Sequence, residues 1–563
     1  MEEKIEPGCG TPSELPITHY EVARTTELAK DPEALARSYG PAGLKGLLQS
    51  GFVVRCAVFA AMGGFLFGYD QGVISITLTM DHFNDMFPRI DANRNSSAGF
   101  WKGLMTAMLQ LGALLGAAQA GFLADRLSRK YAMFVGFIWF LIGSAIQTGS
   151  VTYAMLVIGR TVGGIGIGTL SMVAPLYISE ISPPNVRGSL LVLEEWSIVF
   201  GIIVAFYITY GTRFIVSDWS WRLPFLLQLF PAIVLCAFMK ILPFSPRWLA
   251  AQGRDEEALK TLVRLRQLPE TDERVIAEWI EVRAEAAVQK EVQAERHPNL
   301  VADTSTIAGL KLELVSWADT FRKNSYKRTL VGMGLMLFQQ LVGINAMIYY
   351  GPSLFESLGL DYEMQLNMSG VMNILQLVGV TPAIFLMDRV GRRPLLLWGS
   401  AAMFICHVIV AAVIGTYQGE WEQNKGAAWA GISFIFVYMV AFGLSWGPVA
   451  WAMPAELFNS TLRAKGVALA TCSNWFNNFI IGLITPPLVQ HSAYGAFVFF
   501  AVFSLLSGVW TWFVVPETCG RSLEDMDEIW GDDSGKKDKE RTLVVVSRLE
   551  RQLAERSSAV KAM

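Results

Sequence analysis

Asp70, Arg160, Glu194 and Glu195 are the chief charges that stand inside long apolar runs of this 563-residue sequence. A charged side chain at the centre of a bilayer costs roughly 2.5–3.5 kcal/mol on insertion scales, so each needs a compensating role. For Asp70 one role is a carboxylate that takes up and releases a proton, with Arg160 as its partner. An apolar setting favours the protonated acid and a nearby guanidinium favours the ionised one, so relative movement of the two groups would switch protonation. The competing reading is a static ion pair.

A second group is polar without charge. Gln339, Gln340, Asn345 and Tyr349 fall within one otherwise apolar stretch. Each carboxamide offers two donors and two acceptors, which suits vicinal hydroxyls. At about 3.6 residues per turn, positions 339, 342, 346 and 349 share a stripe with 340 and 345 at its margins, so an unwound turn is expected to gather them. Hydrogen-bond glue between helices explains one such amide and strains to explain several. Glu194 and Glu195 are about 100° apart on a helix, so only one can point straight into a cavity.

The elements that must position these groups are membrane helices. Hydrophobic residues make up 52% of the chain and charged residues 17%, against about 25% charged in soluble domains. Twelve apolar stretches are long enough to span a bilayer, near 54–76, 101–123, 131–149, 153–178, 189–211, 222–242, 329–352, 366–387, 394–415, 428–450, 464–488 and 494–515. Continuous apolar runs exclude a barrel of alternating strands. Gly447 and Pro448 are expected to break the tenth helix. Arg126, Arg129 and Lys130 after the second span, and Arg389, Arg392 and Arg393 after the eighth, place those loops and both termini in the cytoplasm. Arg213 and Arg222, between the fifth and sixth spans, are a mild contrary signal.

The expected organisation is a tail over 1–52, a six-helix bundle over 53–242, a cytoplasmic helical linker over 243–328, a second bundle over 329–515 and a tail over 516–563. In the linker, Asp255 is a candidate N-cap, and Leu259, Leu262 and Val263 form an apolar face. The tails read as charged and partly disordered. The polar, acidic N-terminus lacks the pattern of a cleavable signal, so the first span is expected to target the chain. The sequon at Asn95 falls in an outer loop and is the expected glycosylation site; the one at Asn459 would face the cytoplasm. Six scattered cysteines and five histidines give no metal or disulfide spacing, and no nucleotide-binding or nucleophile motif is present. An enzyme and an ATP-driven pump are therefore disfavoured, no cofactor is expected, and a net charge of −3 argues against nucleic acid.

The halves repeat. Gly68-Tyr69-Asp70 matches Gly343-Ile344-Asn345, the basic loop at Asp125 matches that at Asp388, and Glu180 and Arg187 match Glu456 and Arg463. Parallel six-helix repeats imply a binding site between the halves near the midplane. With FGYDQGVIS at 67–75, GRTVGGIGIG at 159–168, PLYISEISPPNVRG at 175–188, FSPRWL at 244–249, QQLVGINAMIYY at 339–350, DRVGRRP at 388–394 and PETCGRSLEDMDEIW at 516–530, the chain resembles the sugar-porter branch of the major facilitator superfamily.

The resemblance implies an all-α fold of twelve transmembrane helices in two bundles. It also implies sugar contacts at Gln339, Gln340, Asn345, Asn373, Trp451 and Trp475, with Asn474 and Asn478 beside Trp475. Trp rings suit the apolar face of a pyranose. Proton-coupled members carry an acid and an arginine matching Asp70 and Arg160, whereas passive facilitators lack the acid. Asp125, Arg126, Arg129, Glu180, Arg187, Asp388, Arg389, Arg392, Arg393, Glu456 and Arg463 would latch the cytoplasmic side through ion pairs, or serve topology alone. The chain departs from the pattern twice. Ser128 replaces a glycine, which would loosen the latch, and Glu195 replaces a glutamine. Glu195 reads as a sugar contact, a second protonatable group, or a neutral acid bonded to a neighbouring helix. The expectation is a monomeric plasma-membrane symporter of a proton and a neutral hexose or pentose such as glucose, xylose or galactose. The alternatives are a facilitator, a disaccharide or polyol carrier, and a sensor; the intact Arg160 and short C-terminal tail disfavour the sensor.

Overall fold

The computed structural model describes residues 28–41, 44–303, 305–322, 325–458, 462–519, 537 and 540–552. Among them there is no strand, and twelve helices are long and apolar enough to cross a membrane. They are α1 (Gly51–Thr77), α2 (Ala98–Leu127), α3 (Arg129–Thr148), α4 (Tyr153–Ile181), α5 (Pro184–Thr212), α6 (Trp219–Ile241), α7 (Tyr326–Glu356), α8 (Tyr362–Met387), α9 (Arg392–Tyr417), α10 (Lys425–Leu457), α11 (Arg463–His491) and α12 (Ala493–Val514). Phe230, Trp398 and Phe513 stand exposed on these helices, as hydrocarbon contact allows.

Helices α1–α6 pack among themselves, as do α7–α12, and the two groups meet along α2 with α11 and α5 with α8. Small residues permit the closest approaches: a side chain on Gly68 of α1 would collide with the Ile198 carbonyl of α5. Two spans are broken. In α7 the break is at Gly343, whose φ of +97° only glycine adopts readily. In α10 it falls at Ser445 (φ −123°, ψ −87°), two residues before the expected Gly447. Pro448 therefore lies in the first turn of the second half, where a missing N–H costs nothing.

Helices Pro246–Ala251, Asp255–Arg266 and Glu273–Arg296 form the linker's core with parts of both tails. Two segments of the tails, read from sequence as partly disordered, are helical and pack on the linker. Leu35 of helix Pro32–Ser38 and Val545, Val546 and Leu549 of the C-terminal helix bury against Leu259, Leu262, Ile276 and Ile280. Tyr39 donates to Glu278 at 2.7 Å, and Glu278 also receives Arg266 at 2.5 Å. Arg266 donates to the Ile181 carbonyl at the end of α4 as well, tying the linker to the first bundle. Asp255 is the first helical residue and not the cap; its carboxylate pairs with Arg283 at 2.8 Å. The face bearing the linker is called the linker face below.

Ser128 and Gly391 occupy equivalent turns, between α2 and α3 and between α8 and α9. Their backbones coincide, at φ 95°, ψ 157° and φ 96°, ψ 159°. A side chain in this region is strained by roughly 1–3 kcal/mol. The Ser128 hydroxyl offsets part of that by accepting the Tyr131 N–H at 3.3 Å. Ser128→Gly is expected to stabilise the protein by about 1–2 kcal/mol, read as a higher melting temperature of the purified chain; an unchanged or lower value refutes the strain.

Glu281 lies on the linker helix beside Glu285 and Glu278, with Arg247 and Arg187 facing it. Burial and then the Glu285 charge push its carboxyl up to about 7. The unfolded chain ionises this group near its ordinary 4.5, so stability falls as pH rises between the two values. The melting temperature is expected to drop from pH 5 to pH 8, and Glu281→Gln to flatten that drop; identical profiles for both proteins refute it.

Candidate functional site

The break in α7 builds the centre of the site. It leaves the Val342 carbonyl without a helical partner, and two side chains from the second bundle take its place: Tyr438 Oη at 2.9 Å and His407 Nε2 at 3.0 Å. Gln339 and Gln340 end the first half of α7, and Asn345 opens the second. The sharp turn folds them together, so Asn345 donates to Gln340 Oε1 at 2.5 Å. Gln340 donates to Asn474 Oδ1 at 3.2 Å, and Asn474 to Gln339 Oε1 at 2.5 Å. Gln339 in turn donates to the Gly447 carbonyl, beside the break in α10, at 3.3 Å.

Tyr349 carries this network to the other bundle. Its hydroxyl donates to Asn478 Oδ1 at 3.1 Å, accepts from Gln71 Nε2 at 2.9 Å and lies 2.9 Å from the Gln110 amide. Gln71 also approaches Asn345 Oδ1 at 3.5 Å. Trp475 crosses the same interface, donating to Ser171 Oγ at 3.0 Å with its ring edge-on to Phe67 at 4.8 Å. Every amide here is buried. The Asn478 amide nitrogen and the Asn373 amide oxygen have no hydrogen-bond partner among the described residues. Asn373 is buried on α8 but makes no hydrogen bond to the network.

Asp70 precedes Gln71 by one position on α1. Asp70 and Arg160 are both fully buried, with Arg160 Nη2 3.8 Å from Asp70 Oδ2. No hydrogen bond joins them. Arg160 Nε donates to the Met105 carbonyl at 3.1 Å, and neither Asp70 oxygen is hydrogen-bonded among the described residues. Glu194 and Glu195 line a small cavity with Ser171, Pro175, Leu191 and Trp451. They diverge as helical spacing requires. Glu194 lies against Gly64 of α1, whereas Glu195 lies against Gly447 of α10, across the bundle interface.

At the linker face, Arg129 binds Glu180 at 2.9 Å and Asp125 at 3.2 Å. The second bundle repeats this with Arg392 and Glu456 at 2.8 Å. The Arg392 and Arg393 N–H groups each donate to Glu517 at 3.0 Å, which anchors the start of the C-terminal tail. Lys465 of α11 reaches Asp125 of α2 at 3.2 Å and also Glu313, so it bridges the bundles. Arg187 and Arg463 face the linker acids Glu281 and Glu285. Arg126 and Arg389 are exposed, the former over the Phe122 ring. The side chain of Asp388, the Asn459 sequon and residues 520–530 lie outside the described residues. Asn95 sits in the loop between α1 and α2, its amide donating to the Arg89 carbonyl at 2.8 Å.

Sequence reasoning missed Gln71, Gln110, Ser171, His407, Tyr438 and Lys465. Gln71 and Gln110 are polar residues inside apolar spans, a signal that could have found them. Lys465 begins a helix and gives no such signal. Arg213 had read as an orientation anomaly. It pairs with Glu363 of α8 at 2.6 Å, on the face opposite the linker.

Residues 56–530 match the family described as sugar (and other) transporter. The chain is 31% identical over 488 residues to the high-affinity glucose transporter of Kluyveromyces lactis, covering 84% of each chain. It is 30% identical to sugar transport protein 10 of Arabidopsis thaliana, covering 85% of this chain and 91% of that one. This chain is a sugar porter of the major facilitator superfamily. Its fold matches the proton:xylose symporter XylE bound to 6-bromo-6-deoxy-D-glucose with a TM-score of 0.69 and 26% identity, over 86% of this chain and all of that one. The same comparison with the inward-open xylose transporter XylE from E. coli gives a TM-score of 0.63 at 25% identity, over 85% of this chain and all of that one. The porter is thus a multi-pass membrane protein that handles a small-molecule sugar.

Tyr349→Phe removes a hydroxyl shared by Gln71, Gln110 and Asn478 while keeping the ring. Loss of one or two such hydrogen bonds, about 1–2 kcal/mol, is expected to raise the KM for sugar uptake roughly 5–30-fold. An unchanged KM would place the hydroxyl outside the substrate's path.

Proposed function

We propose that this porter takes up a neutral monosaccharide, a hexose or pentose, together with one proton by alternating access, with both termini in the cytoplasm of a plasma-membrane protein. The observation that carries the coupling is the looseness of the Asp70–Arg160 pair. A structural ion pair in an apolar interior needs close, hydrogen-bonded geometry to offset its desolvation. The Arg129–Glu180 pair has it at 2.9 Å; Asp70 and Arg160, at 3.8 Å and more deeply buried, do not. That geometry suits an acid that is neutral in one state and paired in another. The fold's likeness to the proton:xylose symporter XylE supports the same reading.

The sugar's place is the amide network, where each bond between Gln339, Gln340, Asn345, Asn474, Asn478, Gln71 and Tyr349 can be exchanged for one to a hydroxyl. Gln71 follows Asp70 directly, so a shift of α1 on protonation moves a group that bonds Tyr349 across the interface. Glu195, against Gly447 at the network's edge, accepts from a sugar hydroxyl and disfavours anionic sugars. Glucose-transporter relatives favour a hexose. Closure around the sugar then loosens the linker-face bridge of Lys465 with Asp125.

Uptake of radiolabelled glucose and xylose by hexose-transport-deficient cells, at pH 5 and pH 8, tests this. Wild type is expected to accumulate sugar above the outside concentration, with collapse under a protonophore. Asp70→Asn is expected to lose accumulation while retaining sugar exchange between the two sides. Equilibration without accumulation, equal at both pH values and in the variant, would make the porter a facilitator.

A further inference from the structure

A cavity of about 320 Å³ opens on the face opposite the linker, between the ends of α1, α2, α7 and α11. Its size is at the lower end of small-ligand pockets, roughly 300–1,000 Å³. Tyr349 and Tyr350 line its inner part, and Tyr349 is the residue whose hydroxyl closes the amide network beneath. The network and the cavity are therefore neighbours separated by one ring. Nothing assigned above uses the cavity.

Its walls are built for a polyhydroxylated molecule. Ser75 lines it, is 2% exposed, and its hydroxyl has no hydrogen-bond partner among the described residues. A buried, unpartnered hydroxyl beside a cavity costs free energy that a bond to a ligand there would recover. Lys102 of the first bundle and Glu356 of the second also line the cavity. Among the described residues neither is in an ion pair within 4.0 Å, although their charges attract one another across the space. Ser353 and Gln490 add neutral donors and acceptors, while Pro486 and Val489 supply apolar surface. A net anion would meet Glu356 and a net cation Lys102. A neutral ligand with many hydroxyls satisfies both.

We propose that this cavity is a second sugar subsite, a vestibule that holds one neutral monosaccharide before it passes Tyr349 into the amide network. The proposal rests on the monosaccharide reading above. It also implies that the vestibule draws on both bundles, so it exists only while their far ends stand apart as they do here.

The test is the number of sugars bound at saturation by the purified full-length porter in lipid nanodiscs, using radiolabelled D-glucose and D-xylose. Wild type is expected to bind two per chain. Ser75→Leu, which narrows the vestibule and removes its buried hydroxyl, is expected to leave one, and so is Gln340→Ala, which disables the network. In uptake assays Lys102→Gln and Glu356→Gln are expected to raise KM about 3–10-fold with kcat within about twofold. One sugar per wild-type chain, lost in Gln340→Ala and kept in Ser75→Leu, overturns the subsite and leaves the transport reading intact. No binding of either sugar by folded wild type overturns the monosaccharide reading itself.

Discussion

In a hydrocarbon interior there is no water to satisfy a donor or acceptor, so each polar group must find a partner in the protein or be served by what the protein carries. The core of this porter meets that constraint at its broken helices and leaves other buried groups without a partner among the described residues. The Val342 carbonyl, released by the turn at Gly343, is met by Tyr438 and His407. The amides of α7 and α11 bond one another in a closed chain. Asp70, Ser75, Asn373 and Asn478 are left with buried atoms that no described residue satisfies. Under the proposed mechanism proton and sugar complete the polar inventory at these four, while Gln228, Trp221 and Thr511 carry unpartnered atoms away from the site.

The same constraint explains why the helices break where they do. A continuous α7 would spread Gln339, Gln340 and Asn345 round its circumference. The positive φ of Gly343 breaks the helix and brings Asn345 onto Gln340. In α10, the break at Ser445 presents the Gly447 carbonyl to Gln339 and a clear surface to Glu195. The α7 break is tolerated because neighbouring side chains take up the released Val342 carbonyl. Tyr349 then spans the interface, so the site belongs to neither bundle alone, as alternating access requires.

At the linker face the interactions are of another kind. Arg129, Glu180, Asp125 and their counterparts Arg392 and Glu456 make close, hydrogen-bonded pairs at the helix ends. Lys465 bridges the second bundle to Asp125 of the first and also pairs with Glu313 of the linker. The linker core binds segments from both tails, so a single apolar cluster gathers the N-terminal helix, the three linker helices and the C-terminal helix. Movement of the bundles must strain or release this cluster. Trp248 of the cluster donates to the Asp125 carbonyl at 2.9 Å, beside the strained turn at Ser128.

Sequence by itself determined the twelve spans, the repeat and the family, because hydrophobic length and the order of local motifs are properties of contiguous residues. It also singled out the intramembrane charges and the α7 amides, since polar residues in apolar runs are conspicuous without any structure. It misplaced the α10 break by two residues, because Gly and Pro mark a propensity while the neighbouring helices select the residue that yields. It did not show which parts of the tails are ordered, because their few apolar residues, Leu35 and Leu549 among them, count only when brought against the linker. Tertiary structure alone decided which groups are partners. Gln71 and Gln110 join Tyr349 across 278 and 239 residues of chain, and Lys465 joins Asp125 across 340. Only tertiary structure could show that Asp70 and Arg160 lie 3.8 Å apart without a hydrogen bond. Such distances are set by how whole helices pack, and no local spacing in one chain encodes them.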